Sequence, residues 1–311
     1  MIRLGVDLGG TKIEIIALLV DESQPLHKAQ EVYRKRIDTP QGDYRATLNA
    51  ITQLVLQAER DLHNHDEFDM KGMQTRIGIG IPGAISSKTG LIKNANSVCL
   101  IGQDLQGDLQ RSLRQTVRLA NDANCFTLSE ATDGAAQGFN SVFGVIIGTG
   151  CGGGMVLNGE ILNGANAIGG EWGHNPLPWA TADDTPLECY CGLKGCLETY
   201  VSGSGLQRHY QQRQNQSLNA KQIEQLALDG DEHANQLLED YCVWLAKGLA
   251  SVVNIYDPEV IVLGGGMSNL DLIYQRVPHI WQQWIFSDEV NTLLKPPMYG
   301  DSSGVRGAAW L

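Results

Sequence analysis

A strand, a glycine-rich tip and a return strand occur twice in this chain, once in each half. In the first copy residues 2–8 alternate as a strand, Gly9-Gly10-Thr11-Lys12 turns the chain, and residues 13–20 run back. In the second copy residues 142–147 lead into Gly148-Thr149-Gly150-Cys151-Gly152-Gly153-Gly154, and residues 155–157 read as the return strand. Strands this apolar need a buried sheet. Glycine at the tips lets backbone N–H groups approach oxygen atoms closely. The pattern predicts two α/β lobes related by topology rather than by residue identity. Taken alone, each tip reads equally well as a phosphate cradle or as an ordinary tight turn.

The remaining elements are coarser. Apolar spacing predicts helices over residues 43–62, 123–133 and 237–254, with a short closing helix over 305–311. Buried strands are expected at 76–81, 118–120 and 260–263, and a polar loop at 63–74. Gly78/Gly80/Gly83 and Gly148/Gly150/Gly153 fit G-x-G-x-x-G, but neither is followed by the helix that a dinucleotide site requires. No P-loop pattern is present. The expected division is 1–120, with 301–311 returning to it, and 121–300.

The second half carries a dense group of metal-ligand side chains: His174, Cys189, Cys191 and Cys196. Three thiolates and an imidazole complete a tetrahedral zinc shell with no open position, so the metal would be structural. Glu171 and Glu198 flank the group and are free for other chemistry. Cys99, Cys125, Cys151 and Cys242 stand singly and read as core or loop residues. The net charge of −12 argues against a nucleic-acid or anionic-membrane partner. No leader and no membrane-spanning run is apparent, and a cytoplasmic location is expected. Asn121-Asp122-Ala123-Asn124 leads from a strand into a helix. Asp122 suits a general base for a hydroxyl attacking phosphorus, although a helix N-cap is the stronger reading of that stretch by itself.

Together these segments resemble the ROK family of bacterial sugar kinases and related repressors. Asp7-Leu8-Gly9-Gly10-Thr11-Lys12 looks like its first phosphate motif and Gly148-Thr149-Gly150-Cys151-Gly152 its second. Residues 262–266 are similar to its adenosine segment, Glu171-Trp172-Gly173-His174 to its E-x-G-H signature, and residues 189–198 to its zinc motif. The resemblance implies an actin-like, hexokinase-like ATPase fold with two lobes, a ligand cleft between them and a structural zinc segment. It implies ATP and Mg²⁺ as cofactors beside the structural Zn²⁺, a hexose as partner, and a homodimer. By the same resemblance Asp122 is the catalytic base toward the sugar 6-hydroxyl, and Asn96, Asn121, Asp122, Glu171, His174 and Glu198 contact the sugar. Asp7, Gly9, Gly10, Thr11, Lys12, Gly148, Thr149, Gly150, Gly152, Gly264, Gly265 and Gly266 serve Mg-ATP. The repressors' helix-turn-helix is not expected, because the first motif starts six residues after Met1. Residues 93–97, 119–125 and 300–311 look closest to the manno(fructo)kinase branch. The expected reaction is therefore D-fructose + ATP to D-fructose 6-phosphate + ADP. Mannokinase, glucokinase and a non-catalytic sugar-sensing regulator are the alternatives.

Overall fold

The computed structural model describes residues 1–21, 29–64 and 73–311. The chain forms two compact α/β units with the actin-like, hexokinase-like ATPase architecture. The first unit comprises Met1–Gly138, Gly159–Gly169 and Asp301–Leu311, and the second Phe139–Asn158 and Gly170–Gly300.

The first unit opens with β1 (Ile2–Leu8), β2 (Lys12–Val20) and β3 (Ala29–Asp38). It continues with α1 (Tyr44–His63), β4 (Thr75–Ile81), β5 (Ala84–Ile85), β6 (Ile92–Lys93), α2 (Leu105–Leu113), β7 (Val117–Asn121) and α3 (Asp122–Thr132). Its sheet runs β3-β2-β1-β4-β7, antiparallel through β1 and parallel from β1 to β7. Ile2, Leu4, Val6 and Leu8 are almost wholly buried on β1, and each such side chain contributes about 1.5–3 kcal/mol. Helix α1 starts where Asp43 accepts from the Ala46 N–H, and it buries Ile51, Leu54, Val55, Ala58 and Leu62 at helical spacing. The loop expected at 63–74 falls largely outside the described residues.

The second unit repeats the plan. After β8 (Ser141–Ile147) and β9 (Cys151–Leu157) the chain passes through β10 (Glu160–Ile161), which belongs to the first unit. The metal segment follows, then α4 (Glu198–Val201), α5 (Gly203–Gln214), α6 (Ala220–Leu228), α7 (Glu232–Tyr256), β11 (Val260–Gly264), α8 (Asp271–Ile280) and β12 (Leu293–Lys295). Within this unit the strands run β9-β8-β11-β12, with β8–β9 antiparallel and the other pairs parallel. That is the order of β2-β1-β4-β7, so the duplication extends from a hairpin to four strands. Its core includes Trp244, Tyr241, Tyr200 and Phe143. Among the described residues no helix is long and apolar enough to cross a membrane.

Three expectations need correction. The return strand of the second hairpin begins at Cys151, because Cys151, Gly152, Gly153 and Gly154 pair with Ile147, Ile146, Val145 and Gly144; the turn is only Gly148–Gly150. The boundary at residue 120 cuts through one body. Helix α9 (Ser303–Trp310) is bonded to α3 and the residues after it: Arg306 and Trp310 donate to Asp133, and Ser303 to Glu130. Residues 121–138 therefore belong to the first unit. Finally, α7 is longer than 237–254, starting at the Asp231 cap. Helix α9 also lies so close to the sheet that a methyl group on Gly5 or Gly78, paired neighbours on β1 and β4, would strike its backbone.

Candidate active site

In the first unit the β1–β2 tip is held from one side. Thr39 Oγ1 donates to the Gly9 carbonyl at 2.8 Å, Gln41 Nε2 to Gly10 at 2.7 Å, and the Thr39 N–H to Thr11 at 2.9 Å. In a trans peptide the N–H points opposite to the C=O. Fixing the Gly9 and Gly10 carbonyls against residues 39–41 therefore turns the Gly10 and Thr11 amides outward. Gly10, Thr11 and Lys12 are exposed. A recess of about 270 Å³ is lined by Leu8, Gly10, Thr39, Gln41 and Asn96, among others, which brings a sugar-site candidate beside the tip.

Asp7 is the penultimate residue of β1. Burial, then the charges of Asp122 and Glu14, raise its pKa to about 6, and Arg36 pulls the other way. The charge of Asp122 acts on Asp7, so the two carboxylates share one region. Asp122 is the first residue of α3 and is exposed. The capping position belongs to Asn121, whose Oδ1 accepts from the Ala123 N–H at 2.9 Å and whose Nδ2 donates to Gly83 O at 3.0 Å. The N-cap reading of Asp122 thus passes to its neighbour. The Asp122 carboxylate sits at a helix N-terminus, where backbone amides favour negative charge, and accepts from Ala123 N–H at 2.8 Å.

The second unit builds its tip by the same device. The Gly203 N–H donates to Gly148 O at 2.7 Å and Ser204 Oγ to Thr149 O at 2.5 Å, so the start of α5 holds the two carbonyls. The Thr149 and Gly150 amides face away from that support. Gly265, with φ of +80°, packs against the end of β8 where a side chain would meet Ile147 O; this sets Gly264, Gly265 and Gly266 next to the tip. Gly152 is a strand residue, paired with Ile146. A sequence pattern could not separate it from the tip.

Glu198 joins this tip to the metal segment. Its Oε2 accepts from the Cys151 N–H at 2.9 Å, and its Oε1 lies 4.0 Å from Cys189 Sγ. A methyl group on Gly150 would come within 2.8 Å of Oε2. Glu171 caps and His174 ends a short 3-10 turn anchored by Trp172, which is buried and donates from Nε1 to Gly152 O at 3.2 Å. Burial, then Glu198 and Glu171, push the Cys151 thiol up, which places both carboxylates near the same strand end.

His174, Cys189, Cys191 and Cys196 offer ligand atoms that all lie within 4.8 Å of one another. Cys191 Sγ is 3.6 Å from Cys196 Sγ, and Cys189 Sγ is 3.7 Å from His174 Nδ1. Tetrahedral zinc with bonds of about 2.3 Å to sulfur spaces its ligands at roughly 3.5–3.8 Å, so the set fits that ion. Burial and the neighbouring thiols push Cys196 up to about 12, a cost to thiolate that a cation relieves. His174 Nε2 is hydrogen-bonded to Tyr190 OH at 3.0 Å. Nδ1 therefore faces the thiols while Tyr190 fixes the ring. Tyr190, Thr39, Gln41 and Ser204 were not expected from the sequence. Each works through a loop contact that leaves no periodic signal.

The family model described as "ROK family" matches residues 3–311, and the chain belongs to this family. An N-acetyl-D-glucosamine kinase of Histophilus somni is 38% identical over 313 residues, covering 99% of this chain and 97% of its own. The enzyme of the same name from Pasteurella multocida is 38% identical over 315 residues, covering 99% and 98%. The ROK hexokinase of Thermus thermophilus superposes with a TM-score of 0.82 at 30% identity, covering 99% and 97%.

These relatives overturn the expectation of a fructokinase and of a manno(fructo)kinase branch. The reason is physical. Of residues 93–97, 119–125 and 300–311, which pointed to that branch, the last two hold positions set by packing: Gly307 on α9 has no room for a side chain against the Cys125 carbonyl of α3. Packing positions such as Gly307 and Cys125 report the fold and not the sugar.

Proposed function

We propose that the protein is an ATP-dependent N-acetyl-D-glucosamine kinase. The observation that carries this reading is full-length identity of 38% to kinases of that name in two organisms. It agrees with the exposed Asp122 carboxylate at the start of α3. The 6-hydroxyl oxygen attacks the γ-phosphorus, the bond from that phosphorus to the β–γ bridging oxygen breaks, and ADP leaves. Asp122 accepts the hydroxyl proton. Asn96, Asn121, Glu171, His174 and Glu198 are the proposed sugar contacts, since each hydroxyl removed from water must be re-paired.

The outward amides of Gly10, Thr11, Thr149 and Gly150 would meet phosphate oxygens, with Lys12 adding charge and residues 264–266 meeting the adenosine. Asp7 would hold Mg²⁺, which when bound offsets charge on the phosphates. A structural Zn²⁺ held by His174, Cys189, Cys191 and Cys196 would fix the segment that bears Glu171 and Glu198. Phosphoryl transfer asks for alignment and charge neutralisation above all, and these residues supply both. A coupled assay of ADP release tests the reading: release should depend on N-acetyl-D-glucosamine, and release at the same rate without sugar refutes it.

A further inference from the structure

His174 and Cys189 are fifteen positions apart, and their separation in space is 3.7 Å. The chain between them contains no helix or strand of its own beyond the 3-10 turn that ends at His174. Two isolated bridges, Pro176 with Cys196 and Glu188 with Lys194, hold only its ends. In its middle Trp179 packs against Trp284, and most of the hydrogen bonds converge on Asp184. Asp184 Oδ2 accepts from Lys247 Nζ at 2.8 Å and from the Thr181 N–H at 2.8 Å, and Oδ1 accepts from Trp244 Nε1 at 2.6 Å. Lys247 and Trp244 both belong to α7, and Lys247 is only 4% exposed. Lysine is seldom so buried unless it is paired. The Asp184 carbonyl also accepts from Tyr200 OH at 3.2 Å, and Tyr200 lies on α4, the helix that begins with Glu198.

We propose that Asp184, clamped by Lys247 and Trp244, is a positioning residue for the metal segment: it folds the His174–Cys189 loop so that all four ligands are presented together. Lys247 acts on Asp184 rather than on a ligand, so the effect passes through the backbone of the loop. A loop ordered in advance does not have to be ordered by the metal, and the saving appears as metal affinity. The buried pair is weak evidence for stability in itself. Its value here is specification of one loop conformation.

The test is zinc affinity, measured by chelator competition on the full chain with zinc alone as the probe. The double variant Asp184→Asn/Lys247→Met removes both charges and leaves no orphan ion. Its zinc Kd should rise at least about tenfold, the scale at which supporting contacts act on metal sites. Lys247→Arg keeps the charge and should stay within about threefold of wild type. An unchanged Kd in the double variant, even with a lower Tm, overturns the proposal. So does an equal loss in Lys247→Arg. Should the double variant fail to fold, Trp244→Phe removes one donor to Asp184, and a Kd unchanged there overturns the proposal as well. A second arm rests on the proposed function: KM for N-acetyl-D-glucosamine should rise while KM for ATP holds. The zinc arm stands whichever sugar is used, so its failure is distinct from failure of the kinase reading.

Discussion

Asp7→Asn separates a group kept for function from one kept for stability. Burial and two nearby carboxylates raise the Asp7 pKa from 3.8 to about 6 in the folded protein. An acid whose folded pKa is raised is penalised when it ionises, so wild-type stability falls as pH rises through the window from about 4 to 6, and the loss is complete above it. The rise corresponds to about 3 kcal/mol, and partial exposure of the side chain lowers the realistic figure to about 1–3 kcal/mol. Asparagine has nearly the same shape and no charge. The variant should therefore gain about 1–3 kcal/mol over wild type at pH 8, and close to nothing at pH 4. The assay is a pair of thermal melts at each pH, without nucleotide or divalent metal. At about 2–3 °C per kcal/mol, the gain at pH 8 is several degrees. Kinase activity should fall steeply in the same variant, and Mg-ATP should protect it less than wild type. A variant that melts at or below wild type at pH 8, or whose gain is the same at both pH values, refutes the reasoning.

Three further substitutions probe the rest of the site. Asp122→Asn should lower kcat by about 10²–10⁴-fold while N-acetyl-D-glucosamine still binds; isothermal titration with steady-state kinetics checks both halves, and undiminished kcat removes Asp122 as the base. Gly150→Ala should push the Glu198 carboxylate off the Cys151 N–H, since the new methyl group comes within 2.8 Å of Oε2. Loss of that bond, worth about 1 kcal/mol, should raise KM for the sugar several-fold in kinetic assays with little change in Tm. Gly307→Ala should destabilise the first unit by about 1–3 kcal/mol or more in urea melts, because α9 has no slack against Cys125.

What the sequence made legible was local. The β1–β2 hairpin, the Cys189, Cys191 and Cys196 cluster and the Asp122 helix start each depend on residues close in the chain, where spacing alone carries much of the geometry, whereas His174 reaches the cysteines across a fifteen-residue interval. The second hairpin was misjudged at its return strand: Cys151 sits among glycines that look like a loop, yet these residues pair one by one with β8. Glycine composition hides a strand when the pairing partner supplies the order. Strand β3 went unread because most of its residues are charged or polar, as suits a sheet edge. Helix α5 is mostly polar, with Leu206 and Tyr210 among its few buried side chains, and so shows little apolar period. The contacts of Thr39, Gln41, Ser204 and Asp184 join positions far apart in sequence. The choice of sugar was misread for a related reason. Two of the three segments that looked diagnostic contain positions that pack α9 on α3, while a hexose is distinguished by a few hydroxyl or acetamido contacts that leave no pattern of their own.

Phosphorylation of N-acetyl-D-glucosamine by ATP is tested most directly by kcat/KM for that sugar, measured beside glucose, mannose and fructose under one set of conditions. The predicted ratio favours N-acetyl-D-glucosamine over fructose by at least about tenfold, the discrimination that one or two well-placed polar contacts provide. Equal or greater efficiency with fructose contradicts it.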